Sequence, residues 1–112
     1  MTTQDQLMKI LIEAKNGLST IFGSYLDNVL LYGSFARGEQ DAESDIDVMA
    51  LVDMPKEDLA QYRRTVSNLT SDIDLRHDVL LSIKLQDLDT FRRYGAALPF
   101  FQNVMREGIR IV

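Results

Sequence analysis

Apolar residues recur at three- and four-residue steps through Leu7, Ile10, Leu11, Ala14, Leu18, Ile21 and Phe22. That period predicts a helix over residues 3–22 with one stripe turned to a core. Thr3 with Gln6 fits a capping box, Gly23 a stop, and Gly17 weakens the interior somewhat. The pattern then changes. Val29-Leu30-Leu31-Tyr32 is a short continuous apolar run that ends at Gly33, as suits a central strand buried on both faces. Gly33 and Ser34 open a helical turn through Phe35, Ala36 and Arg37, and residues 38–44 are a polar loop. A second strand follows over residues 45–53. Ile46, Val48, Ala50 and Val52 take one face of this second strand; Asp45, Asp47, Met49 and Leu51 take the other.

Pro55 at a first helical position, with Glu57 and Asp58 in the first turn, starts a helix. Leu59, Tyr62, Val66 and Leu69 give its buried stripe, and Thr70-Ser71-Asp72 breaks it. A third strand is expected within residues 73–85, with Ile73, Leu75, His77, Val79, Leu81 and Ile83 on one face. Asp74, Arg76, Asp78, Leu80, Ser82 and Lys84 fall on the other. A short helix spans 88–94, and Pro99 opens another that carries Phe100, Phe101, Val104 and Met105 to a Gly108 cap. Residues 109–112 alternate as an edge strand. The order α-β-α-β-α-β-α-α implies an α/β domain, a small sheet with helices packed on it.

The chain has 112 residues, no internal repeat and no linker, so a single domain over 1–112 is expected. Cysteine is absent, which excludes disulfides and thiolate metal sites. A net charge of −5 offers no large basic face, so nucleic acid is disfavoured as the main partner. The first residues, MTTQDQLMKI, lack a basic region followed by an apolar one, and no run reaches the length of a membrane span. A cytoplasmic protein without a membrane partner is the expectation.

The chemistry concentrates in residues 33–47, GSFARGEQDAESDID. Gly lets a phosphate approach the backbone, and the free N–H groups of the turn with the Ser34 hydroxyl supply donors. Asp45 and Asp47 share one strand face, where two carboxylates repel unless a cation sits between them. A divalent metal answers that. Mg²⁺ prefers carboxylate, water and phosphate oxygens, and two ions flanking a reacting phosphorus stabilise both attacking and leaving oxygens. Asp78, favoured over Asp74, is the expected third carboxylate, helping to deprotonate an attacking hydroxyl.

Gly-Ser, ten residues, then Asp-x-Asp stands unbroken here as Gly33, Ser34, Asp45 and Asp47. The stretch resembles the signature of the DNA polymerase β-type nucleotidyltransferase superfamily, in particular its minimal nucleotidyltransferase (MNT) group. The GSFARG opening with Arg37, and Ser44 before the first aspartate, also match. HDVLLS around Asp78 is similar to the group's third-carboxylate strand, and PFFQNVMREGIRIV to its tail. The resemblance implies a polymerase β-like fold with a small mixed sheet, ATP as donor, and Mg²⁺, with Mn²⁺ as the alternative. It further implies an antitoxin that forms a hetero-oligomer with an all-helical HEPN toxin and transfers AMP to a tyrosine hydroxyl on it. Gly33, Ser34, Arg37 and Ser44 would then hold the nucleotide, with Asp45, Asp47 and Asp78 at the metals. Three other functions compete: neutralisation by binding alone, transfer to a small antibiotic, and transfer to RNA.

Plainer readings stand beside these. Arg37 can touch phosphate or pair with Glu39 or Asp41. His77 reads as a packed, hydrogen-bonded residue rather than a catalyst. Ser44 positions its loop rather than acting as a nucleophile. Phe100 and Phe101 read as core, any exposed part being a partner surface.

Overall fold

The computed structural model describes residues 3–41 and 44–111. Helix α1 (Gln4–Phe22) leads into β1 (Leu26–Tyr32), the short helix α2 (Gly33–Arg37) and β2 (Ile46–Val52). Then come α3 (Lys56–Leu59), α4 (Arg63–His77), β3 (Leu81–Asp87), α5 (Leu88–Tyr94), α6 (Pro99–Glu107) and β4 (Ile109–Arg110). The four strands form one mixed sheet in the order β3-β2-β1-β4. β1 runs antiparallel to β2 and β4, whereas β2 and β3 are parallel. A parallel pair needs a crossover, which α3 and α4 supply.

Strand parity sorts the core into two layers. Ile46, Val48, Ala50 and Val52 pack with Val29 and Leu31 beneath the α1 residues Leu7, Ile10, Leu11, Ala14, Leu18 and Phe22. Met49 and Leu51 face the opposite way and pack with Leu88, Phe101 and Val104 of α5 and α6. Burying each large aliphatic chain contributes about 1.5–3 kcal/mol, so both faces of β2 are anchored. Thr3 caps α1, its hydroxyl accepting from the Gln6 N–H at 3.1 Å. Gly17 has a packing role, because a Cβ there would run into the Leu69 side chain of α4. Helix propensity is given up where two helices approach closely.

Two sequence expectations are corrected. The segment 73–77 is helical, since α4 runs straight through Thr70-Ser71-Asp72. Thr70 stays within the helix by donating its hydroxyl to the Val66 carbonyl at 2.9 Å. Ile73 is fully buried while Leu75 is 85% exposed; residues two apart share a strand face but point nearly opposite ways on a helix. β3 therefore begins at Leu81. Pro55 is the cap before α3 rather than its first residue, and a 3₁₀ turn (Ala60–Tyr62) separates α3 from α4. Gly108 caps α6 as the sequence leads one to expect, its N–H bonded to the Val104 carbonyl at 2.8 Å. The helix at Leu88–Tyr94 and the edge strand β4 agree with the sequence; Val112 lies outside the described residues.

Asp87 ends β3 and starts α5, 6% exposed, its carboxylate accepting from the Thr90 N–H at 2.9 Å. Burial alone would raise its pKa, but the Thr90 hydrogen bonds, helped by the Lys56 charge, hold it below the ordinary aspartate value. A lowered folded pKa gives stability that is present above the ordinary value and is lost as pH falls through the lowered one. Asp87→Ala is expected to cost about 1 kcal/mol at neutral pH by denaturant titration, with the difference from wild type shrinking in strong acid.

Candidate active site

The β1–β2 register sets Tyr32 opposite Asp47, and Gly33 follows Tyr32 directly. Gly33 has φ +73°, and a Cβ on it would collide with the Asp47 carboxylate. Both the left-handed backbone and the missing side chain are therefore required. The chain thus turns from β1 into α2 directly over the carboxylate.

Asp45 is exposed just ahead of β2, and Asp47 is partly buried at its second position. Burial raises the Asp47 pKa, the Asp45 charge raises it further, and Arg37 opposes both. Tyr32 is shifted upward too, by burial and then by the Asp47 charge. The pair is a crowded, partly desolvated anion, with the oxygen donors that a hard divalent cation takes. Among the described residues no group of three potential ligands is gathered.

Asp78 does not stand on a strand. It is the left-handed cap of α4, with φ 53°, exposed, its N–H bonded to the Asp74 carbonyl. Asp74 lies in the helix, and its Oδ1 accepts from the Leu81 N–H at 2.8 Å. The parallel register instead puts Ser82 beside Asp47 and Lys84 beside Met49. Tyr32, Asp47 and Ser82 thus form one row across three strands. The expectation of a β3 carboxylate at Asp78 fails because α4 is longer than its polar residues suggested. Glu43, close to the pair in sequence, lies outside the described residues.

Of the nucleotide-binding candidates, Ser34 sits in the first turn of α2, its carbonyl taking the N–H groups of Gly38 and Glu39. Arg37 makes ion pairs with Glu39 and with Glu107 of α6, each at 3.2 Å. The first of these is the plainer reading of Arg37; the second is a link across 70 positions that no sequence pattern announces. Ser44 ties the loop back on itself, its hydroxyl accepting from the Asp41 N–H at 2.9 Å. His77 is part-buried and bonded to Glu13 at 3.1 Å, packed as expected, though on a helix. Phe101 is core, whereas Phe100 is 41% exposed and meets Tyr32 edge-on. Tyr32, Phe100 and Glu107 are neighbours of the site that the sequence reading left out. Only the assembled register reveals them.

A family model described as "Polymerase beta, Nucleotidyltransferase" matches residues 16–112. A protein of Methanocaldococcus jannaschii named "Putative protein adenylyltransferase" is 36% identical over 98 residues, covering 80% of this chain and 96% of its own. A solved toxin–antitoxin crystal structure with AMP-PNP superposes with a TM-score of 0.59 at 19% identity, covering 94% of this chain and 72% of the other. A structure titled "Structure of putative minimal nucleotidyltransferase" gives 0.54 at 22% identity, with 92% and 93% covered. These two share the fold. With Gly33, Ser34, Asp45 and Asp47 assembled at one corner of that fold, the chain belongs to the polymerase β nucleotidyltransferase family.

Proposed function

We propose that the protein transfers AMP from ATP to a hydroxyl, a tyrosine of a HEPN-type toxin, and so acts as that toxin's antitoxin in a hetero-oligomer. The observation that carries this reading is the Asp47 carboxylate seated under the Gly33 turn, with Asp45 two residues before it, where a triphosphate and its counter-ions would meet. Support comes from the relative named as a protein adenylyltransferase and from the similar fold in a toxin–antitoxin complex with AMP-PNP.

In this reading the acceptor oxygen attacks the α-phosphorus, the bond to the β-phosphate oxygen breaks, pyrophosphate departs and the hydroxyl proton is released. Gly33 and Ser34 hold the triphosphate, Arg37 is the nearest cation, and Asp45 and Asp47 hold divalent ions, Mg²⁺ or Mn²⁺. When bound, such ions supply charge neutralisation to the reacting phosphates. Ser82 and Lys84, rather than Asp78, face this chemistry from β3.

Neutralisation by binding alone is the second reading, favoured by exposed Tyr94, Leu98, Phe100 and Met105 along α5 and α6. Intact-mass spectrometry of the partner toxin after incubation with this protein, ATP and Mg²⁺ separates the two. The expected result is a gain of one or more AMP units; co-purification with unchanged mass would replace transfer with occlusion.

The raised Asp47 pKa yields a further expectation. Stability from this group is full below the ordinary aspartate value and is lost as pH rises through the raised folded value. Asp47→Asn should therefore melt above wild type at neutral pH without divalent ions, and the two should converge on acidification. At tenfold excess over its Kd, Mg²⁺ adds about 1.4 kcal/mol to a protein that binds it, or about 5 °C in Tm at this size. That gain is expected for wild type and not for the variant. Equal Mg²⁺ shifts in both would remove Asp47 from the metal site.

A further inference from the structure

On the sheet face that carries Asp47, α6 stands off the end of β1 and leaves a cavity of about 290 Å³. Tyr32, Gly33, Arg37, Phe100, Asn103 and Glu107 line it. Gly33, whose backbone lies over the Asp47 carboxylate, is part of its lining. Its walls differ sharply in chemistry. Phe100 and Tyr32 form an aromatic corner, with ring centroids 5.7 Å apart and planes at 87°. The Lys84 Nζ lies 4.4 Å from the Phe100 centroid, which holds the ring between α6 and β3. Asn103 accepts from Arg106 at 2.8 Å through its Oδ1, leaving the amide nitrogen as its donor end. Glu107 accepts from Arg37 at 3.2 Å.

The charge order along the cavity restricts what fits. Arg37 and Glu107 line it as an ion pair 3.2 Å apart. A free anion placed wholly in the cavity would meet the Glu107 carboxylate. A purely apolar ligand would strand Asn103 and Glu107. A molecule with its anionic part at Gly33 and a neutral part carrying hydroxyl donors and a flat ring suits every wall. Aromatic faces stack bases, and a carboxylate is a common acceptor for ribose hydroxyls.

Building on the nucleotidyl-transfer reading, we infer that this cavity between β1 and α6 is the nucleoside half of the nucleotide site. The base lies against Phe100 and Tyr32, and the ribose hydroxyls are within reach of Asn103 and Glu107. α6 is then part of the substrate site as well as of the core. Its buried residues Phe101 and Val104 fix the helix, while Phe100 and Asn103 on its other side face the ligand.

Isothermal titration of the full chain with ATP and, separately, inorganic tripolyphosphate, both with Mg²⁺, tests the assignment. Tripolyphosphate carries the anionic part without a nucleoside. Phe100→Ala is expected to weaken ATP by about tenfold or more and to leave tripolyphosphate affinity unchanged. Asn103→Ala, at an exposed position outside the core, should weaken ATP alone by a smaller factor. ATP affinity unchanged in both variants would overturn the inference, as would parallel losses for both ligands. Wild type binding tripolyphosphate as tightly as ATP would also overturn it while leaving nucleotidyl transfer standing. Wild type binding neither ligand would remove the nucleotide reading itself.

Discussion

The structure depends on one close approach, that of the Gly33 backbone over the Asp47 carboxylate. Thirteen residues of α2 and loop separate the end of β1 from the start of β2, yet the antiparallel register returns the chain to the same spot, Tyr32 opposite Asp47. Any side chain at Gly33 would displace the carboxylate. The carboxylate in turn carries a cost, since burial and the Asp45 charge both favour its protonated form. Gathering negative charge against a protein's own stability is the pattern of a functional site rather than of a core. The two-sided packing of β2 keeps that arrangement rigid.

The legible parts of the sequence were those where one period dominates. Asp45 and Asp47 flank Ile46 and lead into the continuous apolar run Val48 to Val52, so a buried strand, and the shared face of Asp45 and Asp47, could be read from the chain. The α1 stripe was equally clear. Residues 70–85 were not, because Ile73, Leu75 and His77 mimic strand alternation while being the end of a helix whose solvent face is polar. Thr70, Ser71 and Asp72 look like a breaker in sequence; in the fold they occupy the outer side of α4, where Thr70 satisfies its hydroxyl on the preceding turn. Short apolar spacings of this kind fit both periods, and only the packing of Ile73 against α1 and the sheet decides between them.

That misreading had a chemical consequence. Placing Asp78 on β3 gave the site a third carboxylate, whereas the register gives Ser82 and Lys84 on the face beside Asp47. Asp74 is equally committed, holding the Leu81 N–H at the start of β3. Residues that contribute by long-range contact were invisible for a different reason. Glu107 meets Arg37 only because α6 folds back over α2, and the Phe100–Phe101 pair divides into one core and one site residue only once α6 has a rotation about its axis.

The acidic balance of the chain also looks different in three dimensions. A net charge of −5 argued against nucleic acid as a partner, but net charge does not describe the one corner where ligand charge matters. There Arg37 is shared between two glutamates, both exposed enough for water to screen the pairs. An exposed guanidinium held by replaceable partners can be redirected toward an incoming phosphate at little cost, whereas a buried pair would resist. The same ion pair that docks α6 on α2 in the unliganded chain thus keeps a cation close to Asp47. Docking of α6 and the charge around Asp47 therefore meet at Arg37, which also lines the cavity beside it.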